Sequence, residues 1–302
     1  MYPPSAFAFV SLLAAAASAQ NSTAECSKGL KMFVSRGTSE TLGSGSDLGL
    51  GATGKLVKDI ARRIEDSDYE GIPYPASMWE PSYFHSVANG TRMVRERMTA
   101  YAKACPDSKM AWFGYSQGAQ ITTSSLCGMP VVWGQFAGYG EDEFDKLLEL
   151  SVALPESLHK NIVSVVLFGD PTQRNDTSYN HGTWNNTGNG IFYRSDTSSC
   201  AALGRRIRAY CDAGDPFCDV GDYLSLTAHG RYIENYGDEI ADFVVGQYNG
   251  DGGDDDNDGN GGDSTGSDGE SSEDAPGTNG ADRLASVTGF SALGSLLALA
   301  LL

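Results

Sequence analysis

The chain has 302 residues, with 39 acidic side chains against 21 basic ones and a formal net charge of −18. That balance excludes a basic footprint for nucleic acid, and the length suits one large domain or two small ones. Much of the charge is local: residues 250–284 hold 11 acidic residues and one basic one, which leaves about −8 on the rest.

In chain order, the first segment is apolar and small from Pro4 to Ala19, and Ala17-Ser18-Ala19 fits a signal-peptidase site. It is short for a membrane span, so residues 1–19 are expected to be a secretory signal. Met32-Phe33-Val34 reads as a first strand, and Leu56, Ile60 and Ile64 recur at helical spacing. Ile72 to Tyr74 reads as a second strand ended by Pro75, and Val87, Val94, Met98 and Tyr101 predict a helix before Cys105. Lys109 to Phe113 is a third strand, followed by a helix over Gln117 to Leu126. Ile162 to Phe168 is a strand apolar on both faces, Arg206 to Tyr210 a fifth, and Tyr232 to Val245 a closing helix. Strands buried on both faces and alternating with helices imply a mostly parallel sheet covered by helices.

The fold-forming part is expected at residues 20–249. Residues 250–280 are rich in Gly, Asp, Ser and Asn and lack the apolar surface that would offset ordering, so a disordered acidic stalk is expected. Asn279-Gly280-Ala281, a polar spacer at Asp282 and Arg283, and an apolar tail from Val287 to Leu302 have the layout of a GPI-attachment signal. That reading makes Asn279 or Gly280 the lipidated residue and 281–302 the propeptide. A C-terminal membrane helix is the alternative, but such helices usually carry basic residues on the far side of the span. Six cysteines (Cys26, Cys105, Cys127, Cys200, Cys211 and Cys218) fit an oxidising compartment, and sequons at Asn21, Asn89, Asn175 and Asn185 agree with secretion.

The stretch Gly114-Tyr115-Ser116-Gln117-Gly118 lies between a predicted strand and a predicted helix. That is the setting of a nucleophile elbow, in which a sharp turn lifts the serine hydroxyl clear of the sheet. A serine hydroxyl needs a base to take its proton. In this architecture the acid and then the histidine follow the serine. His85 is out of order, His159 precedes a strand in an amphipathic stretch, and His181 lies among Asn and Gly. His229, just before the last helix, stands where the order requires. Asp215 lies between Cys211 and Cys218, and a disulfide closing that loop would hold its carboxylate; Asp212, Asp219 and Asp222 are its competitors. An oxyanion needs preorganised donors. The backbone N–H of Gln117 is one candidate, and Thr38 in the loop Arg36-Gly37-Thr38-Ser39-Glu40 is the other.

Taken with Tyr74-Pro75-Ala76 and the Cys211 to Cys218 loop, these pieces resemble the cutinase and acetylxylan esterase family from Cys26 to about Val245. The resemblance implies a compact, lidless α/β-hydrolase with a five-stranded, mainly parallel sheet flanked by helices, needing no metal and no cofactor. It implies Ser116, Asp215 and His229 as catalytic triad, Thr38 and Gln117 as oxyanion hole, and disulfides Cys26–Cys105 and Cys211–Cys218, leaving Cys127 with Cys200. Leu126-Cys127-Gly128, Gly169-Asp170-Pro171 and Asp215-Pro216 look like the acetylxylan esterase branch. Tyr223, Leu224 and Leu226 would instead form an apolar lip suited to cutin. The expectation is a secreted, monomeric serine esterase acting on polymeric cell-wall esters, attached to the membrane through a GPI anchor. The alternatives are a cutinase, a non-catalytic GPI-anchored wall protein on a hydrolase scaffold, and a peptidase using the same three residues.

Overall fold

The structure, a computed structural model, describes residues 25–128, 141–184, 188–220 and 225–251. The expected leader, the attachment segment and all of the stalk beyond Asp251, with Asn21, Asn185 and Asn279, lie outside these residues. Strands β1 (Leu30–Ser35), β2 (Asp68–Gly71), β3 (Lys109–Tyr115), β4 (Ile162–Phe168), β5 (Asn180–His181) and β6 (Ile207–Tyr210) form one sheet in the order β2-β1-β3-β4-β6-β5. Every pairing is parallel. The helices are α1 (Gly54–Arg63), α2 (Tyr83–Ala104), α3 (Gln117–Cys127), α4 (Glu141–Leu150), the single turn α5 (Leu226–Gly230) and α6 (Tyr232–Asn249).

The apolar pattern of the strands explains the layering. Along β3, Met110 and Trp112 belong to one buried cluster, with Val87, Val94 and Met98 of α2 and Ile121 of α3. Their neighbours Ala111 and Phe113 face the other way, into a second cluster with Leu56, Val57 and Ile60 of α1 and Ile240, Ala241 and Val244 of α6. A strand whose successive side chains both enter cores reads as almost continuously apolar, as Ile162 to Phe168 does but for Ser164.

Two expectations are corrected. The sheet has six strands rather than five. β5 has only two residues, both polar, and no hydrophobic period could reveal it; it docks through Ala209 N–H to Tyr179 O at 2.8 Å and Cys211 N–H to His181 O at 2.9 Å. The second strand lies at Asp68–Gly71 rather than Ile72–Tyr74. Ile72 still donates to Val34 O at 2.8 Å, but Pro73 and Pro75 have no N–H to continue the ladder.

Three disulfides join Cys26 to Cys105, Cys127 to Cys200 and Cys211 to Cys218, with Cα separations of 5.6, 5.1 and 6.0 Å, within the range a disulfide spans. The first closes the sheet's lower pole, where the strands begin. There Cys26 to Gly29, Pro106 to Lys109 and Tyr248 line one hollow, and the Lys109 ammonium donates to the Tyr248 carbonyl at 2.5 Å. The loops that carry the candidate residues leave the opposite pole, at the carboxyl ends of β1, β3, β4 and β6.

Candidate active site

β3 ends at Tyr115 and α3 begins at Gln117, so the whole reversal falls on Ser116. Ser116 adopts φ 55°, ψ −117°, a conformation an L-residue holds only when its surroundings enforce it. Its N–H donates to Phe168 O at 2.8 Å, while its carbonyl accepts from Ala119 and Gln120, which starts the helix. The flanking glycines leave room for this. A Cβ at Gly118 would lie 1.9 Å from Ser35 O, and one at Gly114 would lie 2.5 Å from Thr122 Oγ1. Any larger residue would force α3 off the sheet.

Asp215 is fully buried in the loop after β6. Its Oδ1 accepts from the N–H groups of Phe217 at 2.8 Å and Cys218 at 3.3 Å. Its Oδ2 accepts from His229 Nδ1 at 2.7 Å and from the Tyr232 hydroxyl. Burial raises the carboxyl's pKa, but the imidazole, the Tyr232 hydroxyl and the Phe217 N–H outweigh it and hold the group below the usual carboxylate range. With Nδ1 on Asp215, the imidazole keeps Nε2 for another partner. The ring is boxed in, stacked on Tyr115 with centroids 5.3 Å apart and packed against Phe217 at 4.4 Å. Tyr115 also donates its hydroxyl to the His229 carbonyl at 3.0 Å.

Ser116 and His229 both line a cleft of about 220 Å3, together with Thr38, Glu40, Tyr83 and Tyr115 and the apolar side chains of Met78, Ile191, Phe192 and Phe217. Ser116 is 9% exposed. The cleft thus brings a hydroxyl and an imidazole to one space, with a carboxylate behind the imidazole.

The loop bearing Thr38 is held from below. The Arg36 guanidinium donates to Glu40 O at 2.9 Å and to Tyr74 O at 2.8 Å, while Glu40 accepts from Gly37 N–H at 2.5 Å and Ala52 N–H at 2.7 Å. Gln117 is fully buried; its amide donates to Ser77 O at 3.0 Å and accepts from the Ser86 hydroxyl at 2.9 Å. Its side chain is thereby committed to the scaffold, and any role toward a substrate falls to its backbone.

The remaining candidates lie elsewhere. His85 pairs with the Ser82 hydroxyl in α2, His159 precedes β4, and His181 sits on β5 beside the Tyr210 ring. Asp212 accepts from Thr183, Asn235 and Tyr236, and Asp219 from Gly214 N–H. Asp222, Tyr223 and Leu224 fall outside the described residues, while Leu226 is 43% exposed. Asn89 is half-buried within α2, where the Thr91 hydroxyl of its sequon is spent on Val87 O; Asn175 lies in the loop after β4. No group of three or more His, Cys, Asp or Glu suited to a metal ion occurs among the described residues.

Sequence reasoning missed Tyr232, Tyr115 and Gly169. Tyr232 carries one signal, its position three residues after His229, although the break at Arg231 between α5 and α6 means that no single helical turn joins them. Gly169 (φ +57°) carries none; only coordinates show that a Cβ there would lie 2.6 Å from His229 Cε1 and 2.7 Å from Nδ1.

A parallel sheet with a strained serine between strand and helix, and an Asp-backed histidine across the same cleft, defines an α/β-hydrolase. A family model described as Cutinase matches residues 26–248, and the chain belongs to the cutinase family. It is 29% identical to "Acetylxylan esterase" of Hypocrea jecorina, over 68% of this chain and 64% of that protein. It is 31% identical to "Cutinase 11" of Verticillium dahliae, over 68% of this chain and 65% of that protein. The chain therefore spans just under two thirds of the length of these two relatives. The solved structure "Acetylxylan esterase at 0.90 angstrom resolution" superposes with a TM-score of 0.60 at 28% identity, covering 74% of this chain and all of that one.

Proposed function

We propose that this protein is a serine carboxylic-ester hydrolase in which Ser116 is the nucleophile, His229 the base and Asp215 the group that orients and charges it. The observation that carries the reading is the strained Ser116 facing the same cleft as a histidine whose Nδ1 is fixed on a buried carboxylate. Ser116 Oγ attacks the ester carbonyl while His229 Nε2 takes its proton. Donors at Thr38 and the Gln117 N–H receive the developing oxyanion. His229 returns the proton to the leaving alcohol, then activates water, which releases the acid and regenerates Ser116.

The relatives' names point to acetylated polysaccharide or to cutin. A cleft of about 220 Å3 is small beside ordinary ligand pockets of roughly 300–1,000 Å3 and favours a short acyl group, as on acetylated xylan. Its walls of Met78, Ile191, Phe192 and Phe217 favour the second reading, an aliphatic acyl group of the cutin type. We extend the proposal to secretion after residue 19, glycosylation at Asn21, Asn175 and Asn185 but not at Asn89, whose sequon lies within α2 with Thr91 buried, a single copy in solution and GPI attachment at Asn279. The relatives give no support to a non-catalytic wall protein.

Ser116→Ala should leave the fold intact and lower kcat for p-nitrophenyl acetate by several orders of magnitude. Undiminished turnover by that variant defeats the assignment. Labelling of Ser116 by a fluorophosphonate checks the nucleophile directly. Comparing acetyl, butyryl and palmitoyl esters, alongside acetylated xylan and cutin, decides the acyl group.

A further inference from the structure

Asp215 is unusual in what shares its oxygens. Oδ2 receives His229 Nδ1 at 2.7 Å and also the hydroxyl of Tyr232, at the start of α6. Among the described residues, Tyr232 is the one side chain besides His229 hydrogen-bonded to that carboxylate. It is 1% exposed, and its ring meets the imidazole edge-on, with centroids 6.4 Å apart at 84°.

The single proton on that hydroxyl can be placed by counting donors. Asp212 N–H donates to the phenol oxygen at 3.2 Å. Cys218 Sγ lies 3.4 Å away but is disulfide-bonded and has no proton to give. That sulfur is at most a weak acceptor, and the carboxylate is nearer and charged, so the Tyr232 proton points at Asp215. Burial first, and then the charge of Asp215, push the phenol well above its usual pKa, so it remains a neutral donor at working pH.

We propose that Tyr232 is a positioning residue for the site: by donating to the oxygen that His229 also uses, it takes up part of the carboxylate's negative charge and weakens the hold of that charge on a protonated imidazole. This rests on the reading of Ser116, His229 and Asp215 given above. The polar groups packed around the pair leave this role to Tyr232. Tyr115 of β3 spends its hydroxyl on the His229 carbonyl. Glu40, across the cleft, is held by the Gly37 and Ala52 N–H groups. Asp212 is satisfied by Thr183, Asn235 and Tyr236, and Asp219 by Gly214 N–H. Arg231 and Glu234, flanking Tyr232 on α6, pair with each other.

The test follows the histidine Cε1 protons by NMR through a pH titration of the full secreted chain, native and Tyr232→Phe. The pH profile of kcat/KM for p-nitrophenyl acetate is taken alongside. The hydrogen bond stabilises the carboxylate in both states of the imidazole, so only the part of its strength that changes with the imidazole's charge reaches His229, roughly half a pH unit. The His229 titration and the acid limb of the profile should both move up by about that amount, with KM little changed. Tyr232→Phe leaves Asp212 N–H unpaired, so a lower Tm is expected too. A lower Tm with an unmoved or downward-moved titration shows a merely structural hydroxyl and overturns the proposal. Should the phenylalanine variant not fold, 3-fluorotyrosine at position 232 keeps the ring and strengthens the donor. Its titration should move down, and no movement or a rise overturns the proposal. A titration that moves as expected in a protein whose hydrolysis does not depend on Ser116 upholds the coupling and defeats the esterase reading instead.

Discussion

Gly169 shows how finely the imidazole is seated. It follows β4 with φ +57°, its N–H donates to Tyr210 O at 2.9 Å, and an added methyl would overlap the His229 ring and reach 3.1 Å from Asp215 Oδ2. Gly169→Ala should therefore push the ring from its place while the core stays packed. A displacement of about 1 Å costs on the order of 100-fold in kcat, and a rate within a few-fold of the native one would show that the ring has room. At this scale the sequence was half legible. Ser116 announced itself through the glycines that its turn demands, and His229 through its place after the acid. Position between two cysteines set Asp215 above Asp219 but not above Asp212, which lies in the same loop. Coordinates give the physical reason: Asp212 and Asp219 are consumed by local donors, and Asp215 alone of the three reaches the imidazole. Tyr232 and Gly169 act through contacts between distant segments, which no local pattern encodes.

The loop from Cys211 to Cys218 is an element built for one carboxylate. The disulfide spans seven positions, and the Phe217 and Cys218 N–H groups inside it hold Asp215 Oδ1. Cys26–Cys105 spans 79 positions and lies at the other pole. The longer closure restricts the unfolded chain more, so replacing Cys26 and Cys105 by serine should cost about 4 kcal/mol, and opening the short loop about 2 kcal/mol. Activity should follow the opposite order. Urea melts and kcat of the two double variants check this; equal losses of kcat would refute the division of labour. The elements themselves were legible where hydrophobic periods ran long, as in β3, β4, α2 and α6. β2 was misplaced because the apolar Ile72-Pro73-Tyr74 outshone the polar Asp68 to Gly71, whose pairing with β1 rests on the backbone ladder and on the Lys31 ammonium between Asp68 and Glu70 rather than on an apolar period. β5 escaped because two polar residues carry no period.

For the molecule as a whole, acid is the natural stress. Asp215 has a native pKa below its ordinary value, so its contribution to stability is complete above the usual carboxylate pKa and drains away as pH falls through the lowered native value. The urea midpoint should be level above about pH 5 and fall below roughly pH 4. Asp215→Asn should make that fall shallower, and an identical acid slope in the variant would remove Asp215 from the account. The layered architecture followed from strands apolar on both faces, whereas the sheet's outer edge did not, because edge pairing spends little hydrophobic surface.

The pole closed by Cys26–Cys105 and Tyr248 is also where the described chain enters and leaves, at the root of the strands, while the cleft opens from their tips. A tether fastened beyond Asp251 would depart from the molecule's rear. Such a protein, held to a wall or bilayer, would still face outward, free to graze on a substrate far larger than itself.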